Sequence, residues 1–490
     1  MPEAHAPAAT TFNAAETTCL GRLLAPQAQA QAPHSGIALI EGGADALRHR
    51  HALLAAAERA IDAQYYIWNS DPSGLLLVAR LIEAADRGVR VRLLLDDFNV
   101  GDRDPGLLAL ASYANVQVRI FNPVALRHGV LRWLSLLGDL DRLSRRMHNK
   151  ALLVDAAAAI VGGRNIGDEY FDLDPEMNFR DRDVLVVGPA VAELGTGFDG
   201  YWNHPLSVPI QALAGPVNGL ANRRPQLEAE VAAATLPYAL PDDGLAWVRQ
   251  ALLPQLTWAP VEVLYERPGA GPAHGKLPLV ERRLVALLDA ASHSVLIESA
   301  YLVLRRDARD RVEAAVARGV EVRALTNSLA SNDVLANHAG YARHRRAMLR
   351  QGLALHEMRP EAHACRWPPP GQPGCGDSPL YGLHGKSAVF DRRWLFVGSF
   401  NLNPRSAYLN TELVLVIDSA ELSARVGASI ETLLEPRSSW RLTLDAANRV
   451  HWLPRSSGDG DGGGRREPGA SRWRLLASDL LQWLPYVDHF

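Results

Sequence analysis

Two copies of one residue pattern carry the side chains best suited to chemistry. The first copy is His148-Asn149-Lys150, then Asp155, then Gly162-Gly163-Arg164-Asn165. The second copy is His384-Gly385-Lys386, then Asp391, then Gly398-Ser399-Phe400-Asn401, with identical spacing. A lone His-x-Lys tripeptide carries little information, but two complete copies 236 residues apart (384 − 148) indicate a duplicated site.

Lysine is rare in this chain, and two of its three occurrences lie in the pattern. Lys150, Lys276 and Lys386 are the only lysines among 51 basic residues. Lys276 also follows a histidine, but Glu281 stands where the aspartate would fall and no Gly-x-x-Asn follows. We therefore interpret Lys276 as a solvated loop residue. A lysine is a compact point charge on a slim stem, whereas an arginine is a planar fork, so the pattern selects a point charge.

The pattern predicts a pocket that binds a phosphodiester. Residues i and i+2 of a strand point to the same face, so each histidine projects together with its lysine. The glycines allow a close approach of the backbone, and each asparagine then returns to the same pocket. Joining the two copies would give two imidazoles, two ammonium groups and two amides. The candidate phosphate-binding residues are Asn165, Asn401 and Ser399.

These groups could catalyse phosphoryl chemistry together. Cations and amide donors hold the non-bridging oxygens as charge redistributes. One neutral histidine attacks phosphorus to form a phosphohistidine, and the other, protonated, supplies the leaving group with a proton and then activates the acceptor. No metal or other cofactor is needed, and no separate His/Asp/Glu cluster has convincing ligand spacing. The candidate catalytic residues are His148, Lys150, Asp155, His384, Lys386 and Asp391, with structural hydrogen bonding favoured over direct catalysis for the two aspartates.

An imidazole used in this way needs an orienting carboxylate. Glu412 lies in NTELVLVI after the second copy, and Asp183 lies in RDRDVLVVG after the first. Both precede an apolar run at comparable places, so they are the candidate orienting residues. The alternative is that they pair with surface arginines.

The elements around these residues repeat along the chain. Helices that alternate with single apolar strands predict the α/β class with mainly parallel sheets. Residues 52–68 and 75–97 show this pattern, and residues 279–303 and 310–328 repeat it, which indicates a duplicated domain. We predict two similar halves related by a pseudo-two-fold axis, with one shared active site. The predicted boundaries are a leader at 1–35, a first half at 36–215, a connector at 216–256, a second half at 257–440, and a tail at 441–490 with a flexible loop and a terminal helix.

Composition excludes several classes of protein. A chain of 490 residues, 48% hydrophobic and 21% charged, is expected to be globular with more than one core. A net charge of −3 provides no basic field for nucleic acid. Three cysteines exclude a disulfide scaffold. Cys365 and Cys375 share a Pro/Gly-rich loop and could pair if the compartment is oxidising, although loop cysteines need no role. No apolar run reaches the length of a transmembrane helix, and the N-terminus lacks the pattern of a signal peptide.

Two segments have the pattern of amphipathic helices. Segment 124–150 is typical of a helix at an anionic membrane surface, with a helix that covers the core as an equal alternative. Its apolar residues are Val130, Trp133, Leu134, Leu137 and Leu140, and its basic residues are Arg127, Arg132, Arg142, Arg145 and Arg146. In the tail, Trp473, Leu476, Leu480 and Trp483 share one helical face. We interpret the tail helix as packed on the domain rather than as a membrane anchor.

The duplicated motif, His-x-Lys-x4-Asp-x6-Gly-x-x-Asn, resembles that of the phospholipase D superfamily. Further stretches, among them QYYIW at 64–68, GGRNIGDEYF at 162–171, FRDRDVLVVGP at 179–189 and GSFNLNPRSAYLNTEL at 398–413, are similar to the bacterial cardiolipin synthases of the third type. The resemblance covers roughly residues 36–440. The first copy departs from the second in having Gly163 in place of Ser399, and 298–304 lacks an expected proline, which leaves substrate choice open.

The resemblance implies that two α/β halves form one active site without metal. A phosphatidyl group would pass through a phosphohistidine to an alcohol, with His148 as the nucleophile, Glu412 as the family's glutamate and Asp183 as its first-half equivalent. The expected partners are phospholipids, with phosphatidylglycerol first and phosphatidylethanolamine second, and an anionic membrane surface, but no nucleic acid. We expect a monomer that is peripheral on the bacterial cytoplasmic membrane.

Three classes of function are compatible with the motif. The first is a phosphatidyltransferase that makes cardiolipin with a second phospholipid alcohol as acceptor. The second is a phospholipase or nuclease in which water takes the phosphohistidine. The third is a non-catalytic binding protein, against which two intact His/Lys/Asn sets argue. Transfer and hydrolysis share one intermediate, so the motif does not separate them.

Overall fold

The computed structural model describes residues 8–100, 103–124, 140–213, 220–268, 277–453 and 466–483. The strands are β1 (Ser35–Ile40), β2 (Ala60–Tyr65), β3 (Arg90–Asp96), β4 (Val116–Phe121), β5 (Ala151–Val154), β6 (Ala158–Gly162), β7 (Met177–Arg180), β8 (Asp183–Val187), β9 (Ser207–Pro209), β10 (Thr257–Ala259), β11 (Val261–Tyr265), β12 (Ser294–Ser299), β13 (Glu321–Asn327), β14 (Ala354–Met358), β15 (Leu380–Leu383), β16 (Lys386–Phe390), β17 (Trp394–Gly398), β18 (Leu413–Asp418), β19 (Ser439–Leu444) and β20 (Val450–Trp452).

The α-helices surround these strands. They are α1 (Cys19–Ala30), α2 (Gly43–Ala56), α3 (Pro72–Asp86), α4 (Asp104–Leu110), α5 (Leu140–Ser144), α6 (Pro189–Trp202), α7 (Ile210–Leu213), α8 (Leu220–Ala233), α9 (Gly244–Trp247), α10 (Leu279–Ala290), α11 (Arg306–Ala317), α12 (Leu335–Arg350), α13 (His363–Arg366), α14 (Pro404–Tyr408), α15 (Ala420–Leu434) and α16 (Arg472–Leu481). In the part of the chain that the structure describes, none of these helices is long and apolar enough to cross a membrane.

Two nine-stranded sheets, counted over the described residues, follow the same strand order. The first sheet runs β10-β1-β8-β6-β5-β2-β3-β4-β9, and the second runs β11-β18-β17-β16-β12-β13-β14-β19-β20. Apart from β10 at one end of the first sheet and β20 at the other end of the second, each strand has a counterpart in the other sheet. The predictions of the α/β class and of two similar halves are therefore confirmed.

The prediction of mainly parallel sheets is wrong. Among the described strands of the two large sheets, parallel pairing is confined to β2–β3–β4 and β12–β13–β14, and the other neighbours run antiparallel. The strand pairs β5–β6 and β16–β17 of the motif are joined by short turns, and a short turn joins only antiparallel strands. Asp155 and Asp391 begin these turns with φ of 53° and 49°, a conformation that aspartate tolerates better than most residues.

The sheets also shift the predicted boundaries of the halves. Strand β10 lies in the predicted second half but pairs with β1 of the first sheet. Strand β20 lies in the predicted tail but extends the second sheet through β19. In the predicted leader, Leu20 and Leu24 of α1 are buried in the core of the first half. In the predicted connector, α8 packs against α3 and α4.

One hydrophobic core joins the two sheets. It includes buried side chains such as Ile37, Leu153 and Val186 from the first sheet and Val389 and Leu415 from the second. A buried polar network crosses the same boundary, because the Arg182 guanidinium donates to Glu41 (2.8 Å), and to Glu298 and Ser387 of the second sheet. The halves are therefore packed into one unit rather than tethered by a linker.

One interpretation of the predicted basic amphipathic segment changes in the structure. Most of segment 124–150 lies outside the described residues, namely residues 125–139 and the side chain of Leu140. The predicted surface residues in this part are Arg127, Val130, Arg132, Trp133, Leu134 and Leu137. The loop residues His274 and Lys276 also lie outside the described residues. Arg146 is not a surface flank, because its guanidinium is buried and lies 3.4 Å from Asp96 Oδ1. The Arg142 guanidinium donates a hydrogen bond to the side-chain oxygen of Asn122.

Cys365 and Cys375 form a disulfide, the pairing that the sequence left open. The backbone N–H of Cys375 donates to the Cys365 carbonyl at 3.1 Å, and this contact brings the two buried side chains together. The short helix α13 turns the chain back on itself, a feature that the Pro/Gly composition of the loop did not reveal.

The tail helix α16 does pack on the domain, against α12. Its predicted apolar face, however, does not take part in that packing. Trp473, Leu476, Leu480 and Trp483 are 73%, 60%, 71% and 87% exposed. The helix therefore packs on the domain as interpreted, but the domain leaves this face largely exposed.

Candidate active site

Two short strand pairings between the halves position the candidate histidines. Strand β7 of the first half runs parallel to β15 of the second, with Arg180 opposite Leu383, and the His384 N–H donates to the Arg180 carbonyl at 2.8 Å. On the other side, Met147 bridges Thr411, and the His148 N–H donates to the Thr411 carbonyl at 2.9 Å. Each histidine thus follows a backbone contact with the opposite half.

His384 is held by a carboxylate from the first half. Its Nδ1 lies 2.5 Å from Asp181 Oδ2, and Lys386 Nζ lies 3.0 Å from the same ring nitrogen. The rings of Tyr170 and Phe179 pack against the imidazole, with centroids 5.0 and 5.3 Å away. These contacts fix the orientation of the His384 ring, with Nδ1 toward Asp181 and Nε2 away from it.

His148 is held in the same way by a carboxylate from the second half. Its Nδ1 lies 2.9 Å from Glu412 Oε2. The Lys150 ammonium donates to the His148 carbonyl at 2.6 Å and lies 5.4 Å from the centre of the Tyr66 ring, which also packs edge-on against His148. The orienting contacts are therefore exchanged between the halves: each half supplies the carboxylate for the other half's histidine.

The charges of the two sets act on one another. Burial lowers the pKa of His148 to about 4 against the opposing effect of Glu412, and Lys386 lowers that pKa further. Burial likewise lowers the pKa of Lys150, and Lys386 adds to this effect. For Lys386 the pKa is lowered by burial, and Glu412 of the other pair raises it. Each lysine therefore lies close enough to the opposite set to act on its charges.

Burial governs the ionisation of this pocket. It lowers the pKa of His384 to about 4, with Lys386 adding to the effect. Burial raises the pKa of Asp181, but His384 and Lys386 more than offset it, so the pKa falls to about 2. The pKa of Glu412 is lowered for the same reason, because His148 and Lys150 outweigh its burial. At neutral pH the two carboxylates are therefore ionised and the two imidazoles are neutral.

The prediction that Asp183 orients a histidine is wrong, and Asp181 takes that place. Gly162 pairs with Asp183 in the first sheet, whereas the equivalent Gly398 pairs with Val414 in the second. Asp183 therefore corresponds to Val414, and Glu412, two residues earlier, corresponds to Asp181. Asp183 is instead buried between two arginines, with Oδ2 2.8 Å from Arg50 and 3.4 Å from Arg164.

The predicted phosphate-binding role of Ser399 does not match its contacts. Its hydroxyl donates to Glu412 Oε2 and accepts from the Leu413 N–H at 3.0 Å, so it holds the carboxylate that holds His148. In the first half Gly163 stands at this position, and a Cβ there would lie 2.2 Å from Asp181 Oδ1. The glycine therefore makes room for the shorter aspartate, and the two half-sites differ in how their carboxylates are supported.

The two asparagines reach the neighbourhood of the pocket with different contacts. Asn165 Nδ2 donates to the Tyr170 hydroxyl at 2.9 Å, and Asn165 Oδ1 accepts from the Ile67 N–H at 3.2 Å. Asn401 is buried, and its Oδ1 has no hydrogen-bond partner among the described residues. A buried amide oxygen without a hydrogen-bond partner lowers the stability of the folded state, so this atom is suited to accept a hydrogen bond from a ligand or a water molecule. Phosphate binding by both residues stays a prediction.

The motif aspartates Asp155 and Asp391 lie at the far ends of their strands from the histidines. Asp155 accepts the backbone N–H groups of Glu58, Arg59 and Ala60 at 2.8–2.9 Å. Asp391 accepts those of residues 292–294 at 2.8–3.0 Å. Three N–H bonds to one carboxylate tie the motif turn to the start of the neighbouring strand, the structural role that the sequence favoured.

Sequence reasoning missed the aromatic side chains of the pocket and Asp181. Tyr66 packs on His148, and Tyr170 and Tyr301 approach His384, the latter with a centroid separation of 6.4 Å. QYYIW and GGRNIGDEYF, which supported the resemblance, contain Tyr66 and Tyr170, so proximity to the motif was an available signal. Over the described residues, no cluster of three or more His, Cys, Asp or Glu side chains is arranged to hold a metal ion.

We expect Gly163→Ser to impair catalysis because its side chain would displace Asp181. The Cβ atom alone would approach Asp181 Oδ1 to 2.2 Å, and both groups are buried. The orientation of His384 would be lost, and we expect kcat to fall about 10²-fold, a loss in the range that positioned general acids and bases contribute. Gly200→Ser, at a site with open space around the Cβ, is the matched control. Wild-type turnover by Gly163→Ser would contradict the assigned role of Asp181.

Anion binding is expected to draw a proton into the pocket. Burial lowers the pKa of both imidazoles to about 4, and a nearby negative charge raises the pKa of a histidine. Sulfate, a dianion between pH 5 and 7, should therefore bind with uptake of about one proton and bind more weakly as the pH rises. Calorimetry in two buffers of different protonation enthalpy measures the uptake, which should fall in His384→Asn. Binding without proton uptake would contradict this electrostatic account.

The amino-acid sequence is similar to one family model and to known bacterial proteins. A family model described as "Cardiolipin synthase, PLD-like domain" matches residues 51–202 and 284–434, one segment in each half. The chain is 36% identical to cardiolipin synthase C of Escherichia coli, over 92% of this chain and 95% of that protein. It is 33% identical to an uncharacterized protein of Helicobacter pylori, over 89% of this chain and 86% of that protein.

A solved structure supports the fold. The crystal structure of phosphatidylserine synthase from Haemophilus influenzae superposes with a TM-score of 0.54 at 15% identity, covering 84% of this chain and 90% of that one. The duplicated α/β architecture is therefore shared with an experimentally determined structure.

Proposed function

The chain belongs to the cardiolipin synthase family with phospholipase D-like domains, and on this basis we propose that it is a phosphatidyltransferase that makes cardiolipin. The observation that carries the proposal is the exchange of carboxylates between the halves. Glu412 and Asp181 engage Nδ1 of His148 and His384, so both Nε2 atoms are available to a phosphodiester in one pocket.

His148 is proposed as the nucleophile. With its Nδ1 proton directed to Glu412, the lone pair of the neutral ring lies on Nε2. Nε2 attacks phosphorus of the donor lipid, the N–P bond forms, and the bond from phosphorus to the leaving glycerol oxygen breaks. His384, protonated once the anionic phosphodiester is bound, transfers its Nε2 proton to that oxygen.

The second step reverses these roles. Neutral His384 removes the proton from the hydroxyl group of an acceptor phospholipid, and the alkoxide oxygen attacks phosphorus. The N–P bond breaks, His148 is restored, and the phosphatidyl group has moved to the acceptor. Lys150 and Lys386, together with the amides of Asn165 and Asn401, stabilise the non-bridging oxygens through both steps.

The finer assignments belong to the same proposal. Phosphatidylglycerol is proposed as donor and acceptor, with phosphatidylethanolamine as a second donor. The protein is proposed to be a monomer that works at the surface of the bacterial cytoplasmic membrane and does not bind nucleic acid. The burial of the two histidines and the net charge of −3, which provides no basic field for a polyanionic strand, support a lipid phosphodiester over nucleic acid.

Incubation of the purified protein with phosphatidylglycerol, with and without phosphatidylethanolamine, tests the proposal. We expect cardiolipin and free glycerol as products when phosphatidylglycerol is the donor. Phosphatidic acid without any cardiolipin would reject the transferase and support hydrolysis, the alternative that shares the phosphohistidine.

A further inference from the structure

The tail helix α16 presents apolar side chains to solvent beside a group of arginines. Trp473, Leu476, Leu480 and Trp483 recur at intervals of three and four residues and are all more than half exposed. Large apolar side chains that lie singly on a surface need no explanation, but four on one face form a patch that marks an interaction site. We call these four residues the α16 apolar face.

The side of α16 opposite this face is bonded to the domain. Its Ser471 side chain accepts from the Arg474 N–H at the start of the helix, and Ser478 is buried. The Arg474 guanidinium donates to the carbonyl groups of Leu329, at 3.1 Å, and Asn332. The helix is therefore fixed in place while its apolar face stays uncovered by the described residues.

Arginines border the α16 apolar face across an open cleft between α12 and α16. Arg343, Arg346 and Arg350 lie at intervals of three and four on α12, so they share one side of that helix. Together with Arg466 and Arg472 they are exposed. Among the described residues that line this cleft, the acidic ones are Asp479, which is exposed, and Glu467, which is partly buried. The cleft is positively charged on balance, which favours a negatively charged partner.

The same helix is connected to the rim of the active site. Arg474 binds the carbonyl of Asn332, and the next residue, Asp333, accepts the Tyr301 hydroxyl at 2.9 Å. The Tyr301 ring lies 6.4 Å from the His384 ring, centre to centre. The helix that carries the α16 apolar face is therefore linked through Asn332, Asp333 and Tyr301 to the His384 side of the site.

We propose that the α16 apolar face, with the arginines of α12 beside it, docks on an anionic lipid bilayer and places the His384 side of the pocket at the membrane surface. Tryptophan and leucine enter the boundary between headgroups and acyl chains, and neighbouring arginines bind anionic headgroups. The combination of exposed tryptophan rings with neighbouring arginines favours an anionic bilayer over an apolar protein partner, because a bilayer offers both an apolar interior and negatively charged headgroups. The inference rests on the proposed function only in that the substrate is a membrane lipid.

Binding of the full chain to vesicles tests the docking surface without any turnover. Trp473→Glu combined with Leu480→Glu is expected to reduce partition onto phosphatidylglycerol–phosphatidylcholine vesicles at least tenfold. Arg346→Glu combined with Arg350→Glu should reduce it several-fold and weaken its dependence on salt. Trp367→Glu, which alters a 59% exposed tryptophan in the disulfide loop, is the matched control and should bind like the wild type.

Turnover of a monomeric short-chain phosphatidylglycerol separates docking from chemistry. The double variant Trp473→Glu, Leu480→Glu should process this soluble lipid at the wild-type rate but lose activity on vesicles. Unchanged vesicle binding in that variant, or equal binding of the wild type to pure phosphatidylcholine, would overturn the inference. So would a dimer in sedimentation velocity that the double variant dissociates, because a second copy would then occupy the face. Normal, variant-sensitive vesicle binding without cardiolipin formation would support docking while rejecting the proposed function.

Discussion

Replacement of either His148 or His384 by alanine is expected to reduce cardiolipin formation by at least about 10⁴-fold, since residues that act as one catalytic unit each carry nearly the whole rate enhancement. His148→Ala removes the nucleophile and leaves Glu412 without its partner. His384→Ala removes the group that protonates the leaving oxygen and deprotonates the acceptor. Initial rates with phosphatidylglycerol in detergent micelles measure both losses.

The two variants are also expected to differ in the intermediate that they accumulate. Acid-quenched protein exposed to lipid labelled in its phosphate should carry label in His384→Ala and none in His148→Ala. His293→Ala is the matched control, because this histidine is 83% exposed and lies outside the pocket. Full activity in either His148→Ala or His384→Ala would refute the shared pocket, and label retained in His148→Ala alone would exchange the two roles.

The second large expected effect distinguishes the role of Asp181 from that of Asp183, two residues further along the chain. Asp181→Asn removes the negative charge that holds Nδ1 of His384, and we expect kcat to fall about 10²–10⁴-fold, as for other positioning carboxylates of histidine bases. Asp183→Asn leaves Arg50 and Arg164 without their buried counter-charge. Breaking a buried ion pair from one side costs about 3–5 kcal/mol, so this variant should lose stability first.

Thermal unfolding and lipid turnover of the two variants together make the distinction. Asp181→Asn should unfold closer to the wild-type temperature than Asp183→Asn, and folded Asp183→Asn should retain most of its kcat. Substituting the equivalent residue, Glu412→Gln, should reproduce the kinetic loss of Asp181→Asn at the other histidine. The reverse result, in which Asp183→Asn loses turnover while folded and Asp181→Asn does not, would restore the sequence-based assignment.

The motif could be predicted from the sequence because its chemistry is local. A histidine and a lysine two residues apart on a strand share one face, whatever surrounds that strand. The turn that follows is equally local, since Asp155 and Asp391 accept N–H groups from an adjacent strand start. Duplication of the full spacing then indicated two such units and hence one composite site.

Contacts between strands that are distant in the sequence were harder to predict from the sequence. Asp183 and Glu412 both precede apolar runs, but the ladder places Asp183 opposite Gly162 and therefore level with Val414. An apolar run marks a buried strand without fixing its register, and a shift of two residues leaves the same face buried. Asp183 was chosen in place of Asp181 because the two residues are two positions apart, and only the strand pairing shows which of them corresponds to Glu412.

The sequence by itself determined the duplicated histidine and lysine sets, the two α/β halves, and the structural role of the motif aspartates, since each depends on spacing within one strand or one turn. Only the tertiary structure decided that Asp181 and Glu412 cross between the halves, that Ser399 supports a carboxylate, that Cys365 pairs with Cys375, and that the α16 apolar face is exposed. The physical reason is that these features depend on which surfaces meet. Periodicity shows that a face is apolar or that a group is buried, but the partner is set by packing between elements far apart in the chain.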